Sequence, residues 1–189
     1  MNRKYRIVGT VPLVMHNGQL ANPMNTFAKQ MKVITSKRGK TDADYLELAR
    51  LEWFGGLYLA DGEPCIPGEV LEAMIVGKGG AARKQKKGGA AAIGITVWED
   101  FPLEYEGPRD IEELWKIESF QLQRLVRIQQ SKILRTRPIF HVWAANVEIG
   151  LDTDHVTKEE LDHWMEVGGK QIGLMDWRPK YGRFSVEQI

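Results

Sequence analysis

The order in which two hydrophobic periods follow one another restricts the fold of this chain more than any single motif does. Tyr5, Ile7, Gly9 and Val11 alternate with Lys4, Arg6, Val8 and Thr10, which predicts an opening strand with one mostly apolar face. Pro12 confines that strand to a sheet edge or bends it there. HNGQLANPMNTFAKQ then brings Asn-Gly and Asn-Pro punctuation, the mark of a long loop with a helical turn. Beyond it the spacing becomes helical. Thr41 suits a cap, Asp42 and Asp44 suit the positive end of the helix dipole, Tyr45, Leu48, Ala49 and Trp53 mark one face, and Gly55 and Gly56 stop the helix. Pro67 stands where a first-turn proline belongs, and Val70, Leu71, Met74 and Ile75 share a face of the helix that follows.

The alternation then returns. AAIGITVWEDFPLEY reads as a strand or bent strand pair, and RDIEELW as a short acidic helix. QLQRLVRIQQSKILRTR and PIFHVWAANVEIG read as two or three strands, with an edge or bulge expected at Pro138. Thr157 and Glu160 have capping-box spacing ahead of a helix that turns Leu161, Trp164 and Met165 to the core and ends at Gly168 and Gly169. YGRFSVEQI supplies a last strand. Strand, helices, strands, helix, strand is the order of an α+β sandwich of the split βαβ type. A chain of 189 residues, 43% apolar, with six Trp, six Phe and five Tyr, can bury the core of one domain spanning residues 1–189.

Charge enters the argument through its distribution. The formal net charge is only +1, yet acids and bases are segregated along the chain. GKGGAARKQKKGGAA, residues 77–91, sets Lys78, Arg83, Lys84, Lys86 and Lys87 among glycines, and no Asp or Glu occurs from Ala73 to Trp98. A preceding helix rules out the dinucleotide fingerprint, and the missing Gly-Lys-Ser/Thr rules out a Walker loop. The segment reads as a flexible loop that orders on a polyanion, glycine giving reach and the cations displacing counterions from phosphates; its bland alternative is a solvated connector. Acids are absent again from Ser119 to Val147, where Arg124, Arg127, Lys132, Arg135 and Arg137 fall on strands. Side chains two apart share a strand face, so Arg135 and Arg137 are expected to form a guanidinium pair, with Arg124 and Arg127 on the partner strand. A shorter basic run is SKRGK at residues 36–40.

The C-terminal GGKQIGLMDWRPKYGRF interleaves Trp177, Tyr181 and Phe184 with Lys170, Arg178, Lys180 and Arg183. Rings stack on bases while cations follow the backbone, the pairing a single-stranded nucleic-acid surface needs; Phe184 fits the core better.

Catalytic signals are sparse. His16, in the MHNG that follows the first strand, is the best general-base candidate. Asp152, Asp154, His155, Glu159 and His163 match neither an EF-hand loop nor H-E-x-x-H, and a capped acidic helix start accounts for them, so neither metal nor cofactor is expected. Cys65, the single cysteine, fits a reducing compartment and a small buried hydrophobe. No apolar run of about 18 residues is available to cross a bilayer, and the chain reads as cytoplasmic.

TVPLVMHNG with its preceding strand, CIPGEVLEAMI and GGKQIGLMDWRPKYGRFSV resemble the RAMP superfamily of CRISPR-associated proteins, above all its backbone subunits. These stretches cover about a third of the chain. The resemblance implies an RRM-like ferredoxin fold with an antiparallel sheet, helices on one face and a long basic loop inserted. It also implies single-stranded RNA or DNA as ligand and a homo-oligomer or filament assembled head to tail along the strand. The family's RNA-cleaving members carry an acidic residue in a loop where NGQLANPMNTFAKQ has none, which speaks against slicing. Its thumb-like loop is shortened here unless residues 77–91 take that part. Nearly the whole length, notably TSKRGKTDADYLELARLE, RTRPIF and DWRPKYGRF, is also similar to a family of bacteriophage and prophage proteins without an assigned activity, which sets the chain in a bacterial host cell. The leading expectation is a non-catalytic single-stranded nucleic-acid binder. Its rivals are a metal-independent RAMP-type endoribonuclease using His16, and a counter-defence protein that captures a host factor or nucleotide messenger.

Overall fold

The structure, a computed structural model, describes residues 1–128 and 131–189; of residues 127, 128, 131 and 132 it describes the backbone alone. In chain order the strands are β1 (Asn2–Gly9), β2 (Leu13–Val14), β3 (Leu59–Ala60), β4 (Glu63–Ile66), β5 (Ile95–Thr96), β6 (Phe101–Pro102), β7 (Gln121–Ile128), β8 (Ser131–Phe140), β9 (Ala144–Leu151) and β10 (Phe184–Gln188). The helices are α1 (Thr26–Thr35), α2 (Asp42–Gly56), α3 (Gly68–Val76), α4 (Ala81–Lys84), α5 (Gly88–Gly94), α6 (Ile111–Trp115) and α7 (Lys158–Val167). The fold is α+β with antiparallel sheets.

Where the sequence reads as one domain, the chain divides into two compact units. One is built from Met1–Leu13, Leu59–Gly107 and Phe140–Ile189, the other from Val14–Tyr58 and Pro108–Ile139. The division leaves no mark in composition, because the second unit consists of two insertions into the first and no Pro/Gly-rich linker separates them.

In the first unit, four strands pair in the order β10-β1-β9-β5, every neighbour antiparallel. Tyr5 lies opposite Val147 and Ile7 opposite Ala145, and all four are buried. Leu71, Met74 and Ile75 of α3, and Leu161, Trp164 and Met165 of α7, are likewise buried, so the two predicted helix faces belong to this core. Each fully buried apolar side chain of this size contributes about 1.5–3 kcal/mol. β1 ends at Gly9 and runs between β10 and β9, so Pro12 follows its end and does not mark an edge. Gly9 is obligatory, since a Cβ there would meet the Trp143 indole at 2.2 Å. The Thr157–Glu160 capping box forms as the spacing predicts. α7 ends at Val167, just ahead of Gly168 and Gly169 as the spacing predicts, and the chain continues as a wider π turn over Gly168–Ile172 that stops at Gly173, whose φ is 78°.

In the second unit, β8 lies between β2 and β7. Pro138 is therefore inside a central strand; it stands opposite Gln121 in the last registered pair of the β7 ladder, and its carbonyl accepts from the Met15 N–H. α2 starts with the reciprocal Thr41–Asp44 cap. Of the predicted face, Trp53 is buried and Leu48 and Ala49 are half-buried, but Tyr45 is 56% exposed, and every residue from Leu51 to Gly56 is buried. Trp53 packs between Phe54 and Trp115, with ring centroids 5.0 and 5.4 Å apart, and its indole N–H donates to the Phe120 carbonyl at 2.8 Å.

Candidate nucleic-acid interface

The basic stretch 77–91 is not the loop that its glycines predict. α3 closes with the Gly77 N–H on the Ala73 carbonyl, and the Gly80 N–H then bonds back to Gly77. Two short helices follow, α4 and α5, in which Ala81, Ala82 and Ala91 are fully buried. Small side chains permit this close packing, so alanine and glycine here serve contact more than reach. Two of the five cations hold the segment in place. Arg83 Nε donates to the Val76 carbonyl at 3.1 Å, and its aliphatic stem covers Gly88. Lys87 pairs with Glu160 of α7 at 3.3 Å, while Trp164 Nε1 donates to Gln85. Lys78, Lys84 and Lys86 are exposed.

The C-terminal loop is fixed by its main chain. Gly173 and Gly182 take positive φ of 78° and 74°, and the Leu174 N–H donates to the Gly182 carbonyl across the loop base. The Gly182 N–H donates to Pro12 and the Thr10 N–H to the Arg183 carbonyl, which ties the loop to the exit of β1. Trp177 and Tyr181 pack against each other with centroids 6.0 Å apart, both half-buried, and Lys180 Nζ stands 5.5 Å from the Tyr181 ring. Arg178, Lys180 and Arg183 are exposed, and Phe184 is core.

These two segments meet. A cleft of about 530 Å³ opens between them, and its cations are Lys78, Lys84 and Arg178. Its other walls include the backbone of Gly77 and Gly79 together with Gln171, Ile172 and Pro179, and among the described residues no carboxylate lines it. Three like charges around a carboxylate-free hollow raise the local potential and concentrate anions.

The third acid-poor segment lies in the other unit. Arg124 is exposed and directly opposite Arg135 in the β7–β8 register. Arg135 does not form the expected pair with Arg137 for phosphate, because its Nη1 is committed to Glu52 Oε1 at 2.9 Å. Glu52, only 4% exposed, completes its bonding with the Thr136 N–H at 2.8 Å. Arg137 is half-buried. The side chains of Arg127 and Lys132 lie outside the described residues.

The outward face of the main sheet offers no stacking platform. Lys4 and Arg6 of β1 pair there with Glu148 of β9 and with Glu104, at 3.4 and 2.7 Å, and Asn146 bonds both Arg6 and Glu104. Sequence reading missed these pairs because each alternation was scanned by itself, and cross-strand register is needed to see them. Glu52 was visible as the lone carboxylate of an otherwise apolar LEWFGG.

His16 is exposed, and its backbone carbonyl accepts from the Tyr58 hydroxyl at 3.3 Å, a main-chain contact unrelated to proton transfer by the ring. Asp152 accepts from the Asp154 N–H at the turn before α7, and among the described residues no group of His, Cys, Asp or Glu is arranged to hold a metal ion. Burial, with Asp100 nearby, pushes the Cys65 thiol up to about 12. No helix among the described residues is long and apolar enough to cross a membrane. Comparison with family models and with curated proteins finds no match to this chain.

Proposed function

We propose that this protein binds single-stranded nucleic acid without cleaving it, holding phosphates in the cleft of Lys78, Lys84 and Arg178 and bases beside Trp177 and Tyr181. The observation that carries this reading is the cleft itself: two segments far apart in sequence, both rich in cations, come together around a hollow that no carboxylate among the described residues lines. Strand order and connectivity give independent support. Taken alone, β1, α3, β5, β9, α7 and β10 follow the β-α-β-β-α-β path, and the sheet order β10-β1-β9-β5 is the one a ferredoxin-like unit takes. That agreement favours the RAMP-like reading of the sequence, with the strand gripped at the cleft in place of the sheet face that RRM modules use for stacking.

A titration of labelled single-stranded RNA and DNA tests the proposal. Three phosphate contacts at about −0.7 each give a slope near −2 in log K against log salt for single strands. Replacing Lys84 and Arg178 by Ala should remove about 1.4 from that slope. Absence of binding at low salt, or a slope unchanged in the double variant, overturns it. A cleft of about 530 Å³ also has the size of small-molecule sites, which run from about 300 to 1,000 Å³. This favours capture of a nucleotide messenger as the second reading, and a cyclic dinucleotide that outcompetes the oligonucleotide at equal phosphate concentration would select it.

A further inference from the structure

Phosphates need only the cations of the cleft, and the rest of its wall has a different chemistry. Much of that wall is apolar: Ala73 of α3, Ile172 and the Pro179 ring. Among the described residues it has one uncharged polar side chain, Gln171. Gln171 is exposed, and no side-chain hydrogen bond joins it to another described residue. Its amide therefore offers a donor and an acceptor side by side, both available to a ligand.

The main chain beneath Gln171 is held firmly. It belongs to the π turn Gly168–Ile172, a kind of turn that recurs at functional sites, closed by the Gly173 N–H on the Gly168 carbonyl at 2.8 Å. Gly168 abuts Met74 of α3 and Gly169 abuts Phe184 of β10, so the turn is wedged between two elements. A side chain rooted on so fixed a backbone needs little ordering to meet a ligand. Gly79, in the facing segment, is the second sign of a built wall. Its φ lies outside the left-handed region, and a Cβ there would meet no atom within 4 Å, so neither backbone nor packing requires glycine. What glycine does at this position is leave the cleft wall bare, where a ligand can approach the backbone closely.

Resting on the strand-binding reading of the cleft, we infer that it seats one adenine base of the strand, with Gln171 bonding the N6 and N7 edge and Ile172 and Pro179 covering the ring. Adenine is the base whose N6 donor and N7 acceptor match the carbonyl and NH2 of a glutamine as a pair; a pyrimidine has no N7. A planar ring also occupies apolar wall that phosphates would leave wet. Lys78, Lys84 and Arg178 then hold the flanking phosphates, and Trp177 and Tyr181, which do not line the cleft, are left for a neighbouring base.

Titration of short single strands carrying only adenine, only cytosine or only 7-deazaadenine, which lacks the N7 acceptor, tests this. The wild-type protein should bind adenine strands about fivefold or more tighter than either of the others, the low end of what one bidentate base contact discriminates. Gln171→Ala should bind all three within about twofold of one another and keep a salt slope of about −2, since it removes a base contact and no cation. Gly79→Val should abolish the same preference at the same slope, by putting a side chain where the ring lies. Both positions are exposed, and circular dichroism verifies that the variants fold. Equal affinity for adenine and 7-deazaadenine strands, or an adenine preference that survives either variant, overturns the inference and leaves strand binding standing. Absence of binding to every strand at low salt removes the strand-binding reading and the inference with it.

Discussion

Arg135 and Asp44 show how differently two ion pairs behave according to where water reaches. Glu52 is a carboxylate almost entirely withdrawn from solvent, held by Arg135 and the Thr136 N–H. Removing one partner from such a pair leaves an uncompensated charge, so Arg135→Ala should lower unfolding stability in urea by about 3 kcal/mol. The same variant should leave the salt slope of oligonucleotide binding unchanged, which separates structural arginine from ligand-contacting arginine. Asp44 is half-buried at the start of α2, and its carboxyl is drawn down from 3.8 to about 2 by Lys37 and by the Thr41 N–H it accepts. A depressed folded-state value means that its contribution is complete above the unfolded value of about 4 and disappears as the pH falls toward 2. Acid titration of stability should therefore steepen between about pH 4 and pH 2, and Asp44→Asn should remove that portion. The cap was legible from Thr41 and the acids after it, whereas the Glu52–Arg135 pair joins residues 83 apart and needed the fold.

At the scale of elements, the two helices announced by a capping box were legible in the sequence, whereas α1, α4 and α5 were not. A capping box depends on residues three apart, so Thr41–Asp44 and Thr157–Glu160 form as spaced. Two glycines follow the end of α7, and they also let neighbours come close: a Cβ on Gly169 would lie 2.4 Å from the Phe184 carbonyl, and one on Gly168 would run into Met74. Gly169→Ala should thus cost about 1–3 kcal/mol, the price of overpacking, seen as a lower urea midpoint with an unchanged slope. The same close packing explains residues 77–91, where glycine and alanine suggested mobility and instead let α4 and α5 press against α3 and α7. Small residues carry both meanings, and only the packing partner distinguishes them.

For the molecule as a whole, the α+β class and the antiparallel pairing were legible because both periods are strong. The second unit was not. Its segments, Val14–Tyr58 and Pro108–Ile139, read as ordinary continuation of the chain, and nothing in their composition announces a separate core around Trp53, Phe54 and Trp115. Charge segregation along the chain predicts one continuous cationic face, and its three segments do not all meet. Two of the three cationic segments line one cleft, and the third gives Arg135 to Glu52. A near-neutral total of +1 was thus compatible with a strongly polarised surface, because Glu104, Glu148 and their partners cancel on the sheet face and the cleft residues do not.

The position of β1 in the middle of the main sheet has a consequence for biosynthesis. β1 pairs with β9 and β10, which follow far downstream in the chain, so its edges stay unsatisfied until those strands have been synthesised. A nascent chain stalled anywhere before Ala144 holds its central strand with neither neighbour, a substrate for chaperones and not yet a folded protein.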